Sequence, residues 1–238
     1  MNWIIVREEE LNAEKIVSLR DKRHQHIKSI LKKNPGDSLQ VVIPNLGNFF
    51  FRIIEIHESY STLEREKSLQ TELEPLPIHC FFSLPRPQTT KKILHLAGAY
   101  GIQSLSFFAT ETKNKEYWTS PVYTKEWIDW IETGMSQTGN NRTPKIIFGQ
   151  NQNWKPYLES WQGEVIVLDR MGDLDSKTMV QSIGSEKQSL FVFGPESGWK
   201  PDDLDFFSKR NYLLYTLGRI NLRTEFAFSS LLYLLFKN

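Results

Sequence analysis

The feature that most constrains the fold is a regular alternation, from Ile78 onward, of short apolar runs with segments of helical periodicity. Each apolar run is predicted to be a buried strand, and strands that alternate with helices form a parallel sheet covered on both faces. The predicted strands are residues 78–84, 104–109, 145–148, 164–169, 190–193 and 211–217. The predicted helices are residues 90–100, 123–133, 201–209 and 224–236.

The residues before this alternation follow a different pattern. Turn signals precede two β-rich runs, residues 38–43 and 49–57, which are predicted strands. A short helix is predicted over residues 26–33. These elements indicate a small barrel-like module. The charged stretch 58–77, which closes with Glu-Pro-Leu-Pro, is predicted to connect that module to the second domain.

Composition narrows the class of protein only slightly. The chain of 238 residues has a formal net charge of +1, so no overall basic field indicates a nucleic-acid partner, although a local basic face is still possible. Its single cysteine, Cys80, excludes an intramolecular disulfide and a cysteine-rich metal site, and is typical of a reducing compartment. Residues 1–10 lack the layout of a signal peptide, and the longest apolar stretch, 226–236, is too short to span a membrane. We therefore expect a soluble, cytoplasmic protein.

Two loops stand at the ends of predicted strands, where open parallel sheets bind their ligands. The first, residues 194–198, contains two glycines, which allow a backbone to approach a ligand closely. The second, residues 217–225, leads from a strand into a helix, with Thr224 as the predicted N-cap and Glu225 near the positive end of that helix. Either loop alone is also explained by a tight turn or a salt-bridged helix cap. Because one helix separates their strands, we expect the two loops to be spatial neighbours.

Together the two loops resemble the cofactor-binding signature of a known enzyme class. Residues 194–198 read Gly-Pro-Glu-Ser-Gly, and residues 217–227 read Leu-Gly-Arg-Ile-Asn-Leu-Arg-Thr-Glu-Phe-Ala. They are similar to the Gly-Pro-Glu-Gly-Gly and Leu-Gly-x-x-x-Leu-Arg-Thr-Glu-Thr-Ala loops of the RsmE branch of SPOUT RNA methyltransferases, the 16S rRNA uridine-N3 methyltransferases. Residues 136–144 resemble that family's Glu-Gln-x-x-Arg-x-x-x-Pro region, and residues 26–37 resemble its His-x-x-x-Val-Leu-Arg-x-x-x-Gly-Asp start. The resemblance runs in order along nearly the whole chain.

The resemblance implies a fold and an assembly. Residues 1–72 would form a small PUA-like β-barrel domain that binds RNA. Residues 73–238 would form a SPOUT-type α/β domain with a parallel sheet and a C-terminal trefoil knot, a rare exception to the rule that chains do not thread loops. Members of this class are homodimers whose active site is completed at the interface. The apolar helix 226–236 is a candidate for that interface and an equally good candidate for plain core.

The resemblance also implies S-adenosyl-L-methionine (SAM) as the cofactor, and ribosomal RNA or the small ribosomal subunit as the partner. Methylation of uridine N3 requires loss of the N3 proton and stabilisation of the resulting anion, and it needs no metal. Arg223 is expected to stabilise that anion, while Glu225 either orients Arg223 or completes the helix cap; no general base is evident. The residues expected to bind SAM are Leu168, Asp169, Gly194, Pro195, Glu196, Gly198, Leu217, Gly218, Asn221, Leu222 and Thr224. The residues expected to contact RNA are Lys32, Lys33, Arg142 and Arg219.

The chain also departs from the family pattern. Ser197 replaces a glycine of the first loop, and Lys32 replaces an arginine, which removes a bidentate phosphate contact. Further family residues are lost or moved at Leu96, Ala99, Ser136, Asn140, Arg219 and Ile220. The residues that resemble the family's cofactor-binding motifs match its pattern better than the residues expected to contact RNA or to act in catalysis. Two alternative functions therefore stay open. One is a SPOUT methyltransferase retargeted to another RNA site, and the other is a non-catalytic RNA-binding relative that kept the knot as a scaffold.

Overall fold

The N-terminal part of the chain forms a five-stranded sheet. A computed structural model of the protein describes residues 3–69, 76–172, 174–175 and 188–236. The strands of the first sheet are β1 (Ile4–Ile5), β2 (Ile16–Leu19), β3 (Ser38–Ile43), β4 (Gly47–Ile56) and β5 (Ser61–Leu69). Their order is β1-β3-β4-β5-β2, with β1 parallel to β3 and the other pairs antiparallel. The two strands predicted in this region are confirmed as β3 and β4.

Strand β5 corrects the prediction that residues 58–77 only connect two domains. Ser61 and Leu63 point into the first sheet's core and are fully buried. The charged residues that follow them are mostly on the outer side of the strand, so the segment reads as a hydrophilic linker in sequence. The apolar core of this sheet gathers Val41, Phe51 and Leu63 from three neighbouring strands.

The helix predicted over residues 26–33 begins earlier and ends earlier than expected. Helix α1 (Lys22–Gln25) starts where the Asp21 side chain accepts a hydrogen bond from the Arg23 N–H at 2.8 Å. A single π-helical turn (His26–Ile30) follows it. Lys32 has a positive φ of 50°, which ends the helical run before the predicted boundary.

The second sheet has six parallel strands. They are β6 (Leu76–Ser83), β7 (Ile102–Phe108), β8 (Lys145–Phe148), β9 (Glu164–Leu168), β10 (Ser189–Phe193) and β11 (Leu213–Tyr215). Their order in the sheet is β11-β9-β10-β6-β7-β8. The predicted α/β fold with a parallel sheet is confirmed, and each predicted strand corresponds to one of these six: the bounds of β8 match the prediction, and those of the other five are shifted.

Helices cover both faces of the parallel sheet. They are α2 (Pro87–Tyr100), α3 (Pro121–Thr124), α4 (Trp127–Thr138), α5 (Trp154–Glu159), α6 (Pro201–Lys209) and α7 (Thr224–Phe236). Side chains alternate along β10, so that Phe191 and Phe193 pack with Phe228 of α7, whereas Val192 packs with Phe207 of α6 on the opposite face. The helix predicted over residues 123–133 is wrong in its bounds, because α3 and α4 are separate helices.

The two sheets are joined by contacts to the end of α4. The N–H of Trp3 donates to the Ser136 carbonyl at 2.8 Å, and the Asn48 side-chain amide donates to the Gly139 carbonyl at 2.7 Å. Gly139 has φ of 80°, and a side-chain carbon there would lie 2.4 Å from the Trp3 ring. The predicted domain boundary between residues 72 and 73 lies outside the described residues, so the division into two domains stays a prediction.

Candidate active site

The carboxyl ends of four neighbouring strands in the parallel sheet are in register. Phe193, the last residue of β10, pairs with Leu168 of β9 and with Phe82 of β6, and Leu168 pairs with Tyr215 of β11. The loops that follow these strands therefore leave the sheet along one edge, where ligands bind in open α/β sheets. They border an open cleft of about 1340 Å³.

Every residue predicted to bind the cofactor lines this cleft. These residues come from three loops, which follow β9 (Leu168 and Asp169), β10 (residues 194–198) and β11 (residues 217–224). Arg223 and Glu225 line the same cleft. The structure therefore brings together the two loops that the sequence predicts to be neighbours and the loop after β9, which holds the predicted residues Leu168 and Asp169.

The loop of residues 194–198 is fixed by contacts beneath it and beside it. A side-chain carbon on Gly194 would lie 2.8 Å from the ring of Trp199, which is itself buried. Only glycine therefore lets the backbone pack this closely on the indole. On the other side, the Ser197 hydroxyl donates to Glu111 Oε1 at 2.8 Å. The residue that departs from the family glycine thus makes a specific contact.

Two glycines leave the backbone open towards the cleft. Gly198 has φ of 80° and Gly218 has φ of 129°, conformations that other residues rarely adopt. A side-chain carbon built on either glycine would lie more than 4 Å from every described atom beyond its chain neighbours. The free space beside these two Cα atoms lets a ligand approach the main chain closely.

Helix α7 begins at the cleft wall with the residues predicted to be catalytic. The Arg223 carbonyl accepts from the N–H groups of Phe226 and Ala227, both at 2.9 Å, so Arg223 is the N-cap residue. The prediction that Thr224 is the N-cap is therefore wrong by one position, since Thr224 is the first helical residue. The Arg223 side chain is exposed.

Glu225 is a buried, ionised carboxylate on this wall. It is 5% exposed; its Oε1 accepts from Lys92 Nζ at 3.0 Å, and its Oε2 has no hydrogen-bond partner among the described residues. Burial favours a higher pKa for Glu225. Hydrogen bonds from its own N–H and from Lys92, together with the charges of Lys92 and Arg223, outweigh burial and hold the pKa below its ordinary value. Since Lys92 belongs to α2, this hydrogen bond connects the start of α7 to α2.

The cleft suits the cofactor that the sequence resemblance implies. SAM carries an ammonium group, ribose hydroxyls and an adenine amino group, all of which donate hydrogen bonds. The unsatisfied Glu225 Oε2 is an acceptor for such a donor, because a buried carboxylate oxygen without a partner is costly. The open backbone at Gly198 and Gly218 provides the close approach that a nucleoside needs. The residues present therefore fit SAM.

The residues predicted to contact RNA do not line the cleft. Lys32 is exposed and Lys33 is half-buried, and both lie in the segment between the π-helical turn and β3. Arg142 is exposed between α4 and β8, at the amino-terminal edge of the parallel sheet, opposite the cleft. Arg219 is exposed on the loop that follows β11 and lies next to the cleft-lining Gly218. The structure thus places these four residues on three separate segments.

Sequence analysis missed residues that the other strands bring to the same edge. Arg86, at the start of α2, forms an ion pair with Glu196 at 3.1 Å across the cleft mouth. Lys92 and Tyr117 also line the cleft. Arg86 and Tyr117 lie in the segments that follow β6 and β7, so applying the strand-end rule to every predicted strand would have identified both of those segments.

No group of three or more His, Cys, Asp or Glu side chains among the described residues is arranged to hold a metal ion. No helix in the described part of the chain is long and apolar enough to cross a membrane.

An open parallel sheet with glycine-bearing loops at its carboxyl edge is typical of α/β enzymes that bind a nucleotide-like cofactor. Comparison with known proteins identifies which class of enzyme this is. A model of the RNA methyltransferase domain family matches residues 72–235, and the chain belongs to that family. The prediction of a SAM-dependent RNA methyltransferase is confirmed at the level of the family.

Individual relatives cover nearly the whole chain. It is 26% identical to ribosomal RNA small subunit methyltransferase E of Treponema pallidum (strain Nichols), over 95% of this chain and 87% of that protein. It is 24% identical to ribosomal RNA small subunit methyltransferase E 1 of Borreliella burgdorferi, over 89% of this chain and 88% of that protein. A crystal structure of ribosomal RNA small subunit methyltransferase E from Neisseria gonorrhoeae bound to S-adenosyl methionine has a TM-score of 0.73 at 18% identity, covering 98% of this chain and 95% of that one, which shows a shared fold.

Proposed function

We propose that this protein transfers the methyl group of SAM to N3 of a uridine in the 16S rRNA of the small ribosomal subunit. The proposal rests on one observation: both loops that resemble those of the RsmE branch line the same cleft. The names of the two relatives support a small-subunit rRNA substrate. The choice of N3 of a uridine rests on the sequence resemblance.

The three cleft loops would hold the cofactor. Backbone groups beside Gly198 and Gly218 and the acceptor on Glu225 support this assignment. The residues proposed to bind SAM are Leu168, Asp169, Gly194, Pro195, Glu196, Gly198, Leu217, Gly218, Asn221, Leu222 and Thr224. When bound, SAM supplies an activated methyl group on a positively charged sulfur.

Arg223 is the proposed catalytic residue. Its exposed guanidinium stands on the cleft wall, where it is free to face the uracil anion that forms when N3 loses its proton. A fixed positive charge near that anion lowers the barrier to methyl transfer. Glu225 accepts a hydrogen bond from Lys92. This contact favours a role in which Glu225 holds Lys92 and the start of α7 in place. It argues against a role in which Glu225 directly orients Arg223.

We also propose the domain organisation and assembly of the family. Residues 1–72 would form a PUA-like β-barrel domain, for which the five-stranded sheet is the support, and residues 73–238 a SPOUT domain with a trefoil knot. Exposed apolar side chains on α7, Phe226, Tyr233 and Phe236, support a homodimer. The proposed RNA contacts remain Lys32, Lys33, Arg142 and Arg219, and a cytoplasmic location follows from a ribosomal substrate.

Nucleoside analysis in vitro tests the proposed function. Purified protein is incubated with methyl-labelled SAM and with either small ribosomal subunits or free 16S rRNA, and the hydrolysed nucleosides are identified by mass spectrometry. We expect labelled N3-methyluridine. A different labelled nucleoside would indicate a retargeted methyltransferase. No label in any RNA, with no heat of SAM binding in calorimetry, would indicate a non-catalytic RNA-binding relative.

A further inference from the structure

A second cavity, of about 300 Å³, adjoins the cofactor cleft along the same edge of the sheet. Its walls come mainly from the segments that follow β6 and β7. Arg86, Tyr117, Glu196 and Thr224 line both this cavity and the cofactor cleft, so the two spaces share a border. Its volume lies at the lower end of the range of about 300 to 1,000 Å³ that is typical of small-molecule sites.

We propose that this cavity, here called the base pocket, receives the target base of the RNA. The proposal rests on the proposed function, because an RNA methyltransferase must bring one base beside the methyl donor. Enzymes that modify a base take it out of its stack into a small pocket, where side chains stack on its face and hydrogen-bond to its edge. A cavity that borders the cofactor cleft is placed for that task.

The charge of the base pocket favours an uncharged occupant with hydrogen-bond donors. Three carboxylates, Glu111, Glu116 and Glu196, line it. Arg86 is the one cation in its lining among the described residues, and Arg86 is already paired with Glu196 at 3.1 Å. The carboxylates oppose a phosphate and suit a ribose hydroxyl or the N3–H of a neutral uracil, before that proton is lost.

Glu111 is held rigidly at the border with the cofactor loop. It is 7% exposed; its Oε1 accepts from the Ser197 hydroxyl at 2.8 Å and its Oε2 accepts from the Asn114 side-chain amide at 3.2 Å. Each carboxylate oxygen can accept more than one hydrogen bond, so a base donor can share an oxygen with either partner. Through Ser197, the same carboxylate fixes the loop that lines the cofactor cleft.

Tyr117 supplies an aromatic surface at this border. It is half-buried and lines both cavities, so its ring is available to a base that enters from the cleft side. Replacing such an aromatic side chain by alanine weakens base binding by about fivefold or more. Thr224 also lines both spaces, and the next residue is Glu225, whose Oε2 has no hydrogen-bond partner in the described part of the chain.

Photocrosslinking locates the bound base without depending on turnover. 16S rRNA transcribed with 4-thiouridine at a fraction of its uridines is irradiated with the protein and SAM, and the cross-linked residue is identified by mass spectrometry. We expect cross-links to residues 111–117, reduced about fivefold or more in Tyr117→Ala. Cross-links confined to other segments overturn the base pocket.

The same experiment separates the base pocket from the proposed function. Cross-links at Tyr117 without any methyl transfer support the pocket and contradict the methyltransferase activity. Methyl transfer with cross-links only elsewhere supports the activity and overturns the pocket.

Glu111→Gln tests the role of the buried carboxylate, with Glu164→Gln at the opposite edge of the sheet as its control. Glutamine keeps the size of the side chain and an oxygen that accepts from Ser197, but it removes the charge and the acceptor for the Asn114 amide. We expect kcat/KM for RNA to fall about tenfold or more, since hydrogen bonds to charged groups are strong, with the Kd for SAM changed less than about twofold. A weaker Kd for SAM with unchanged RNA kinetics at saturating SAM would show that Glu111 only holds the cofactor loop, and overturns its role in the pocket.

Discussion

Lys92→Met isolates the electrostatics of Glu225 at the cleft wall. Methionine keeps most of the length of the lysine side chain but removes its charge and its hydrogen bond to Glu225 Oε1. Burial, the largest influence on the Glu225 pKa, would then be opposed only by the hydrogen bond from the residue's own N–H and by the charge of Arg223. We expect the pKa of Glu225 to be higher in this variant than in the wild type.

The size of the effect follows from the exposure of the two partners. A hydrogen bond to a charged group contributes about 1.5–3 kcal/mol, and breaking a fully buried ion pair costs about 3–5 kcal/mol. The Lys92 side chain is 59% exposed while that of Glu225 is 5% exposed, so solvent screens the pair from one side. We therefore expect the free energy of unfolding to fall by about 1–2 kcal/mol near neutral pH.

The dependence on pH gives the sharper test. In the wild type the lowered pKa of Glu225 contributes stability that is present at neutral pH and is lost as the pH falls through the folded-state pKa. Lys92→Met lacks the part of this stability that comes from Lys92, so its deficit relative to the wild type shrinks as the pH falls and Glu225 is protonated in both proteins. Urea unfolding at about pH 7 and about pH 4 measures both values.

The control is Lys209→Met, which removes an ion pair with Asp205 on the exposed surface of α6 and should change stability less than Lys92→Met at neutral pH. A Lys92→Met deficit of equal size at both pH values, or no deficit at all, would refute the reasoning.

Three further variants test separate parts of the structure. Arg223→Ala should lower kcat by about 100-fold or more while calorimetry shows little change in the Kd for SAM; an equal loss of SAM affinity would contradict its role towards the anion. Gly194→Ala places a carbon 2.8 Å from the Trp199 ring, so urea unfolding should show a loss of about 1–3 kcal/mol and calorimetry weaker SAM binding; unchanged affinity would show that the loop does not hold the cofactor. Gly139→Ala places a carbon 2.4 Å from the Trp3 ring at φ of 80°, so we expect about 2 kcal/mol or more of lost stability, and wild-type stability would contradict the contact between the two sheets.

The parallel sheet and most of the cleft could be predicted because their signals are local. Each strand of the second sheet is a short apolar run, and residues such as Phe191 and Phe193 are buried between two layers of helices. A strand buried on both faces is apolar throughout, which makes it visible in sequence. The loops after β10 and β11 follow directly from the strand ends, and both line the cleft as expected.

The first sheet was harder to predict because much of its outer side is exposed, although Ile5 and Val42 on that side are buried against the core of the parallel sheet. Strand β5 carries charged residues on its outer side, and Ser61 and Leu63 alone mark its inner side. Strand β1 spans only Ile4–Ile5 and depends on pairing with β3, which lies far along the chain. Such strands are specified by their partners, so local patterns do not reveal them.

The missed cleft residues depend on tertiary register. Lys92 reaches Glu225 because α2 packs beside α7, and Ser197 reaches Glu111 because β7 and β10 lie on either side of β6. No single segment of the sequence determines the order of the strands in a sheet. The four residues predicted to contact RNA rested on resemblance alone, and the structure distributes them over three segments.

The central claim is that this cleft methylates a uridine of 16S rRNA. Mass spectrometry of 16S rRNA nucleosides tests it most directly, in a strain from which the gene and any paralogue have been removed, complemented with the wild-type or the Arg223→Ala copy. We predict that N3-methyluridine disappears in the deletion strain, returns with the wild-type copy and stays absent with Arg223→Ala. An unchanged amount of N3-methyluridine in the deletion strain would contradict the claim.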